Sequence, residues 1–266
     1  MLNNLVLKKI TVFAAPILLG LIWNWWLGFG LAAVEVGVAS LGIIGSAIWY
    51  LTWREVAVSK VQISLHHQEF WRFLLTPGIF TLAVYFYLLI GEAIFYQQLL
   101  ILIAVIILIL VLQNIFDRFY QTANYPARSF ESLSVNLNCL SLFLLLAVAY
   151  SFITFLELSV WLLALAILAV VTLLTYQTMW ISGIVLSKSW LYLVVTDLLI
   201  VELFWASVFL PNTYYVKALL IVVAYYLIVN LSRNHLLGLL TKTMVWRYLV
   251  IGGIILGVVL GTAQWL

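Results

Sequence analysis

Charged side chains are scarce in this chain, because only 8% of its 266 residues are Asp, Glu, Lys or Arg. A soluble globular domain carries roughly 25%. Hydrophobic residues make up 67% of the sequence, where a soluble domain has about 45–50%. This balance excludes an ordinary soluble domain and a disordered chain, and it indicates a protein that crosses a lipid bilayer several times. No run of five like charges occurs, so we expect no nucleic-acid partner.

Metal-binding and catalytic motifs are also missing. The single cysteine, Cys139, cannot form an intrachain disulfide, and none of the three histidines lies inside a long hydrophobic run. These absences exclude a bis-histidine haem and the histidine boxes of membrane desaturases. The Asp-rich Mg²⁺ motifs of membrane prenyltransferases, HExxH, GxSG and the P-loop do not occur either. We therefore expect no cofactor and no bound metal, and we favour a protein that is not an enzyme.

Long hydrophobic runs dominate the rest of the sequence. A membrane-spanning helix needs about 20 mainly apolar residues, and nine segments meet this criterion. They are residues 10–27, 30–51, 73–91, 94–113, 137–155, 159–178, 190–210, 214–231 and 247–265. The predicted fold is an all-α, polytopic transmembrane bundle that forms a single integral membrane domain over residues 1–266.

The positions of the cations predict how the bundle is oriented. Cytoplasmic connections carry an excess of Lys and Arg, and Lys8 and Lys9 precede the first span. With the N-terminus inside, every one of the 12 Lys and Arg residues except Lys217 falls on the inner side. This pattern predicts an inside N-terminus, an outside C-terminus and a location in a bacterial inner membrane. The tryptophans lie near the predicted span ends, because an indole ring prefers the headgroup level of the bilayer. Trp23 is expected at the outer headgroup level.

The order of the spans suggests a weak tandem repeat of four helices, residues 10–113 and 137–231, followed by the final helix 247–265. Similar segments, such as those that contain Lys60 and Lys188, follow the second and the sixth span. Because four helices restore the starting side, such a duplication is parallel. The alternative is that any series of hairpins with similar loops looks periodic.

Three acids lie within the predicted spans: Glu35 in the second, and Asp197 and Glu202 in the seventh. An ionised carboxylate in hydrocarbon is costly, so each must be protonated, paired, or turned toward protein or water. One interpretation is a path for protons or cations. Asp197 and Glu202 are five residues apart, however, and therefore about 140° apart around the helix. The alternative is that each acid is protonated and hydrogen-bonded inside the bundle, and we favour this alternative.

Two inner connections, 52–72 and 114–136, carry most of the remaining polar residues. The first fits an interfacial helix or a short strand about equally well. The residues that would bind a lipid phosphate or a partner protein there are His66, His67, Glu69, Arg118, Tyr125 and Arg128. A metal site at the histidines is weakly encoded. For the second segment we favour the alternative, a solvated connection that obeys the charge rule.

Glycine gives the most specific packing signal. Gly253, Gly257 and Gly261 follow one another at a spacing of four in the last predicted span. Small residues let membrane helices approach closely. We favour a contact of this face within the chain, and the alternative is a contact with a second copy or another membrane protein.

Three functions are consistent with the sequence. The first is a small permease-like protein whose transport is linked to protons or cations through Asp197, Glu202 and Glu35. The second is a scaffolding or assembly subunit of a membrane complex that uses the last helix and the inner loops. The third is a lipid-modifying enzyme that works at the cytoplasmic headgroup level. We prefer the first.

Overall fold

The computed structural model describes residues 2–29, 33–52, 60–91, 93–120 and 129–262. They form nine helices and no strand, which confirms the predicted all-α fold. The helices are α1 Leu2–Phe29, α2 Ala33–Thr52, α3 Lys60–Ile90, α4 Ile94–Tyr120, α5 Ser129–Leu156, α6 Val160–Ile181, α7 Leu186–Val208, α8 Tyr214–Leu236 and α9 Lys242–Thr262.

Eight of these helices, α1 to α8, contain a segment that is long and apolar enough to cross a membrane. The chain is therefore a multi-pass membrane protein. Helix α9 is not among the eight, and the end of its predicted span, 263–265, lies outside the described residues. The orientation of the two termini stays a prediction.

Several helices are longer than their apolar runs. Residues 60–72 continue helix α3, so the described part of the first inner connection is helical rather than a strand. In the second inner connection, residues 114–120 belong to α4 and residues 129–136 to α5. Only 121–128 separates these two helices. Polar residues extend a helix readily once its apolar part has formed, so the apolar run alone underestimates the length of the helix.

The chain divides into two compact units, residues 1–137 and 138–266. The predicted second set of four helices begins at residue 137, one residue before the second unit. Whether the two units repeat one structure stays a prediction.

Unit 1 is built around α1, which packs against α2 and α4, while α2 also packs against α3. Trp23 of α1 is fully buried, and its indole N–H donates to the Ser40 hydroxyl of α2 at 2.9 Å. The Ser40 hydroxyl in turn donates to the Val36 carbonyl at 2.6 Å. Trp23 therefore satisfies its N–H inside the protein, and its depth at the outer headgroup level stays a prediction.

A buried lysine joins three helices of the same unit. Lys8 of α1 is only 5% exposed, and its ammonium donates to the Tyr120 hydroxyl of α4 at 2.5 Å. That hydroxyl donates to the Leu51 carbonyl of α2 at 3.0 Å. The ammonium also lies 4.8 Å from the Tyr120 ring centre and 5.4 Å from that of Tyr50. Aromatic faces stabilise a cation at such distances.

In unit 2, α6 packs against α7, α7 against α8 and α8 against α9. Helix α5 is tied to α7 through Tyr150, whose hydroxyl lies 3.2 Å from the Phe204 carbonyl and is hydrogen-bonded to Ser207. Helices α6 and α8 each end at a glycine with positive φ, Gly183 at 75° and Gly238 at 68°. Glycine adopts this conformation without the steric cost that other residues incur, and it closes both helix ends.

Candidate functional site

Asp197 of α7 lies inside unit 2 and is 6% exposed. Its Oδ2 atom is 2.7 Å from the Thr172 hydroxyl oxygen of α6, and that oxygen is also 2.8 Å from the Leu168 carbonyl. If Asp197 is ionised, the single Thr172 hydroxyl proton is shared between the two acceptors. If Asp197 is protonated, it donates to Thr172 while Thr172 donates to Leu168, and both contacts are full hydrogen bonds. The geometry therefore fits a neutral carboxyl group, which an apolar interior also favours.

The other carboxyl oxygen of Asp197, Oδ1, is buried and has no hydrogen-bond partner among the described residues. Four further buried side-chain oxygens of unit 2 make no hydrogen bond of good geometry with a described residue. They are Oγ1 of Thr175, the hydroxyl of Tyr225, Oδ1 of Asn138 and Oγ of Ser151. Their side chains are at most 1% exposed. Buried polar atoms without partners are uncommon and call for a specific explanation.

Helix α6 contributes three threonines to this group of polar side chains, and they follow one another at intervals of three residues. Thr172, Thr175 and Thr178 lie on one face because successive members are rotated by only about 60°. The Tyr225 hydroxyl of α8 lies within hydrogen-bonding reach of the Thr175 and Thr178 side chains, and it is within electrostatic range of Asp197. The threonine face therefore borders α7 on one side and α8 on the other.

Helix α5 contributes one side chain, Asn138, to the same group of polar residues. The Asn138 side-chain amide donates to Oε1 of Gln177 at 2.7 Å and to the Thr178 hydroxyl at 3.1 Å. Four helices, α5 to α8, thus supply the group, which we call the polar cluster. Its members are Asn138, Thr172, Thr175, Gln177, Thr178, Asp197 and Tyr225.

The other two predicted acids are exposed. Glu202 lies on α7, yet its side chain is on the surface while that of Asp197 is buried, as their separation around the helix requires. Glu35 lies in the first turn of α2, in unit 1, and is exposed as well. Of the three, Asp197 alone belongs to the polar cluster.

The candidate residues of the inner connections are only partly described. The Arg118 guanidinium lies over the Phe73 ring at 5.2 Å, so it makes a contact within unit 1. The backbone of His66, His67 and Glu69 belongs to α3, but their side chains lie outside the described part. Tyr125 and Arg128 are not among the described residues either. Where the structure is described, no three His, Cys, Asp or Glu residues come together as a metal site.

Within the described part of the chain, Gly253, Gly257 and Gly261 of α9 do not make the intrachain contact that we favoured. A Cβ built at Gly253, Gly257 or Gly261 meets no described atom within 4 Å. A Cβ at Gly252 would instead lie 2.7 Å from Leu227 Cδ1 of α8. One residue rotates the face by about 100°, so the intrachain contact uses Gly252, and the three-glycine stripe faces open space.

A family model described as "Protein of unknown function (DUF5656)" matches residues 7–262 of the chain. The chain belongs to the DUF5656 family. No curated protein and no solved structure matches it. Both compact units of this DUF5656 protein lie largely within the matched range, so the polar cluster is part of the family's domain.

The DUF5656 protein also has a groove of about 410 Å³ in unit 1, between α1 and α4. Its lining is apolar except for the carboxamides of Asn24 and Gln98, and it contains no titratable side chain. Ile17 and Leu102 in its wall are about half exposed, so the groove opens to the surroundings. Unlike the polar cluster, the described lining of this groove offers no group for proton chemistry.

Proposed function

We propose that the protein is a permease-like transporter that is linked to protons or cations through Asp197. The supporting observation is a buried carboxyl group, bonded to Thr172, among the buried hydroxyl and amide side chains of the polar cluster. Ionisable residues within a membrane are expensive and commonly mark proton or ion pathways. Glu202 and Glu35 are not needed in this proposal, because both side chains are exposed.

Thr172 supplies the local switch in this proposal. While Asp197 carries a proton, the hydroxyl of Thr172 donates to the Leu168 carbonyl and accepts from Asp197. After Asp197 loses the proton, the Thr172 hydroxyl rotates and donates to the carboxylate, since an ionised acceptor forms the stronger hydrogen bond. A change in protonation is thereby converted into a change in the hydrogen bonding of α6.

The proposed route runs along α6 toward its C-terminal end. Thr175 and Thr178 follow Thr172 on the same face, and the Ser182 hydroxyl continues the polar side chains by donating to the Thr178 carbonyl at 2.9 Å. In the other direction along α7, Ile200 and Phe204 are fully buried. Since both are apolar, the opposite side opens only through a conformational change. With the predicted orientation, the polar route leads to the cytoplasmic side of a bacterial inner membrane.

Proton flux in proteoliposomes tests this function. Vesicles that contain the purified protein, a pH-sensitive dye and a potassium diffusion potential should take up protons faster than protein-free vesicles. Asp197→Asn should reduce the rate to that of protein-free vesicles, because the amide keeps the contact with Thr172 but cannot exchange a proton. Equal rates for the wild-type protein and Asp197→Asn would contradict the proposal.

Glu202→Gln is the matched control. It makes the same acid-to-amide change on the same helix, but at an exposed position outside the polar cluster. Its flux should equal that of the wild-type protein. A loss of flux in Glu202→Gln together with normal flux in Asp197→Asn would transfer the role to the exposed acid and overturn the assignment.

An assembly or scaffolding role is the second candidate, and the open glycine face of α9 favours it. Gly253, Gly257 and Gly261 leave a smooth stripe that a second membrane helix can approach closely. The occupant would be a second copy of the chain or another membrane protein. The two roles are compatible, because the stripe and the polar cluster involve different helices.

A further inference from the structure

We propose that one end of unit 2, where α7 and α9 begin and α8 ends, binds the headgroups of anionic phospholipids. We call the Lys and Arg residues at this end the basic surface. They are Lys188 of α7, Arg233 of α8, and Lys242 and Arg247 of α9. Arg233 is half-buried and the other three are exposed. The inference does not depend on the proposed transport, because none of these residues belongs to the polar cluster.

Helix α7 begins beside the end of α8. The ring centres of Tyr192 and His235 lie 5.9 Å apart, which joins the two helices at this level. Lys188 precedes Tyr192 by four residues, about one helical turn on the same face. Lys188 therefore lies at the end of the bundle where Arg233 completes α8.

Helix α9 begins beside the end of α8 as well. The side-chain nitrogen of Asn234 lies 3.4 Å from the Tyr248 hydroxyl. Arg233 and Arg247 each precede one member of this pair, so they lie at the same level of the α8–α9 hairpin. Lys242 is five residues before Arg247, about 7.5 Å nearer the helix start. The basic surface is therefore a layer about as thick as the headgroup region of one leaflet.

No ionised carboxylate balances these cations. The only acids in residues 158–266 are Asp197 and Glu202. Asp197 is buried in the polar cluster with a geometry that fits a neutral carboxyl group, and Glu202 lies toward the opposite end of α7. The preference of Lys and Arg for the inner side explains why cations lie at this end, but it does not require that acids be absent. A surface of one sign selects a ligand of the opposite sign.

The two lysines lie where a helix by itself disfavours them. Lys242 is the first residue of α9 and Lys188 the third of α7, and the first turn of a helix carries a partial positive charge. Neither first turn contains an acid. Thr241 accepts one bond from the start of α9, whereas Val185 before α7 offers no side-chain acceptor. A phosphate group bound there would compensate both the lysines and the helix ends.

Two exposed tryptophans favour a lipid headgroup over a soluble anion. Trp190 of α7 is 57% exposed and Trp246 of α9 is 68% exposed. Indole rings of membrane proteins prefer the headgroup level, and these two lie within four residues of Lys188 and Lys242. The cations are therefore at the level of the lipid phosphates. With the predicted orientation, this is the cytoplasmic leaflet, where anionic lipids attract basic residues.

Competition between two lipids, followed by native mass spectrometry, tests the proposal. The delipidated full-length protein in a neutral detergent receives equal amounts of phosphatidylglycerol and phosphatidylcholine with the same acyl chains, so that only the headgroups differ. The wild-type protein should prefer phosphatidylglycerol by roughly tenfold or more. Lys188→Gln and Lys242→Gln should each lower this preference about fivefold, the factor that corresponds to about 1 kcal/mol for each cation near a membrane surface.

Lys9→Gln is the matched control, because Lys9 is an exposed cation of α1 in unit 1. Its lipid preference should equal that of the wild-type protein. The thermal unfolding midpoint in neutral detergent should not fall in Lys188→Gln or Lys242→Gln, since each removes a cation from the positive end of a helix. A preference that falls only together with this midpoint would assign the lysines a structural role and overturn the proposal.

Three further results would overturn it. The first is equal binding of the two lipids by the wild-type protein, which would point to an acidic protein as the partner. The second is an unchanged preference when both lysines are replaced. The third is displacement of phosphatidylglycerol by an equal concentration of inorganic phosphate, which would show that the surface takes a free anion rather than a headgroup.

Discussion

Gly252→Leu should destabilise the protein by about 2 kcal/mol, the usual cost of overpacking a tight contact. A Cβ at this position would lie 2.7 Å from Leu227 Cδ1 and 3.3 Å from Leu227 Cγ. The larger side chain must therefore displace the Leu227 side chain or push α9 away from α8. In thermal unfolding in a fixed detergent, we expect the midpoint to fall by about 4–8 °C for a chain of this size.

Gly257→Leu is the matched control, because it makes the same change on the same helix. A Cβ at Gly257 meets no described atom within 4 Å, so the unfolding temperature should stay close to that of the wild-type protein. If the stripe binds a second copy, size-exclusion chromatography with light scattering should show an oligomer that this variant dissociates. Equal destabilisation by both variants would contradict the assignment of the α8–α9 contact to Gly252.

Tyr120→Phe should destabilise unit 1 by about 2–3 kcal/mol, the cost of leaving a buried charged group short of a partner. The variant removes one oxygen, which accepts from Lys8 and donates to the Leu51 carbonyl. The ring that faces the ammonium is retained. Thermal unfolding in detergent measures the loss, and Tyr96→Phe, an exposed tyrosine of the same helix, serves as the control with no expected effect.

Lys8→Met provides a second check on this contact. Methionine keeps the length and apolar volume of the side chain but carries no charge that needs a partner. In the Tyr120→Phe background, Lys8→Met should therefore restore part of the lost stability. If the two changes are instead additive, Tyr120 does not act through the ammonium of Lys8.

The helices were predictable because membrane spans leave a strong signal. Apolar runs of about 20 residues located α1 to α8, since a bilayer requires that length. The ends of the helices were not predictable, because residues such as Asn114 and Asp117 extend α4 without adding to its apolar run. The burial of Trp23 was not predictable for a related reason. An indole N–H needs a partner, and the sequence did not reveal that Ser40 would supply it inside the protein.

The candidate site was only partly predictable. Asp197 was identified because an acid within an apolar run is costly and therefore conspicuous. Thr175, Tyr225 and Asn138 were missed, since hydroxyl and amide side chains are ordinary in membrane helices and become a cluster only through tertiary packing. The spacing of three between the threonines of α6 was the available signal. It identifies a face, but the packing of α7 and α8 decides what that face meets.

The exposure of Glu202 and the role of Gly252 show the same limit. A hydrophobic helix has little polar contrast around its circumference, so its sequence does not indicate which face turns inward. A change of one position rotates that face by about 100°. The choice between Gly252 and Gly253, or between Asp197 and Glu202, therefore depends on neighbouring helices.

Infrared spectroscopy of the carboxyl groups tests the central claim most directly. A protonated carboxyl group absorbs separately from a carboxylate, and exchange into D₂O shifts its band. At neutral pH the wild-type protein should show such a band. Asp197→Asn should remove it, and Glu202→Gln should retain it. A wild-type spectrum without a protonated carboxyl group, or a band that persists in Asp197→Asn, would contradict the view that Asp197 holds a proton inside unit 2.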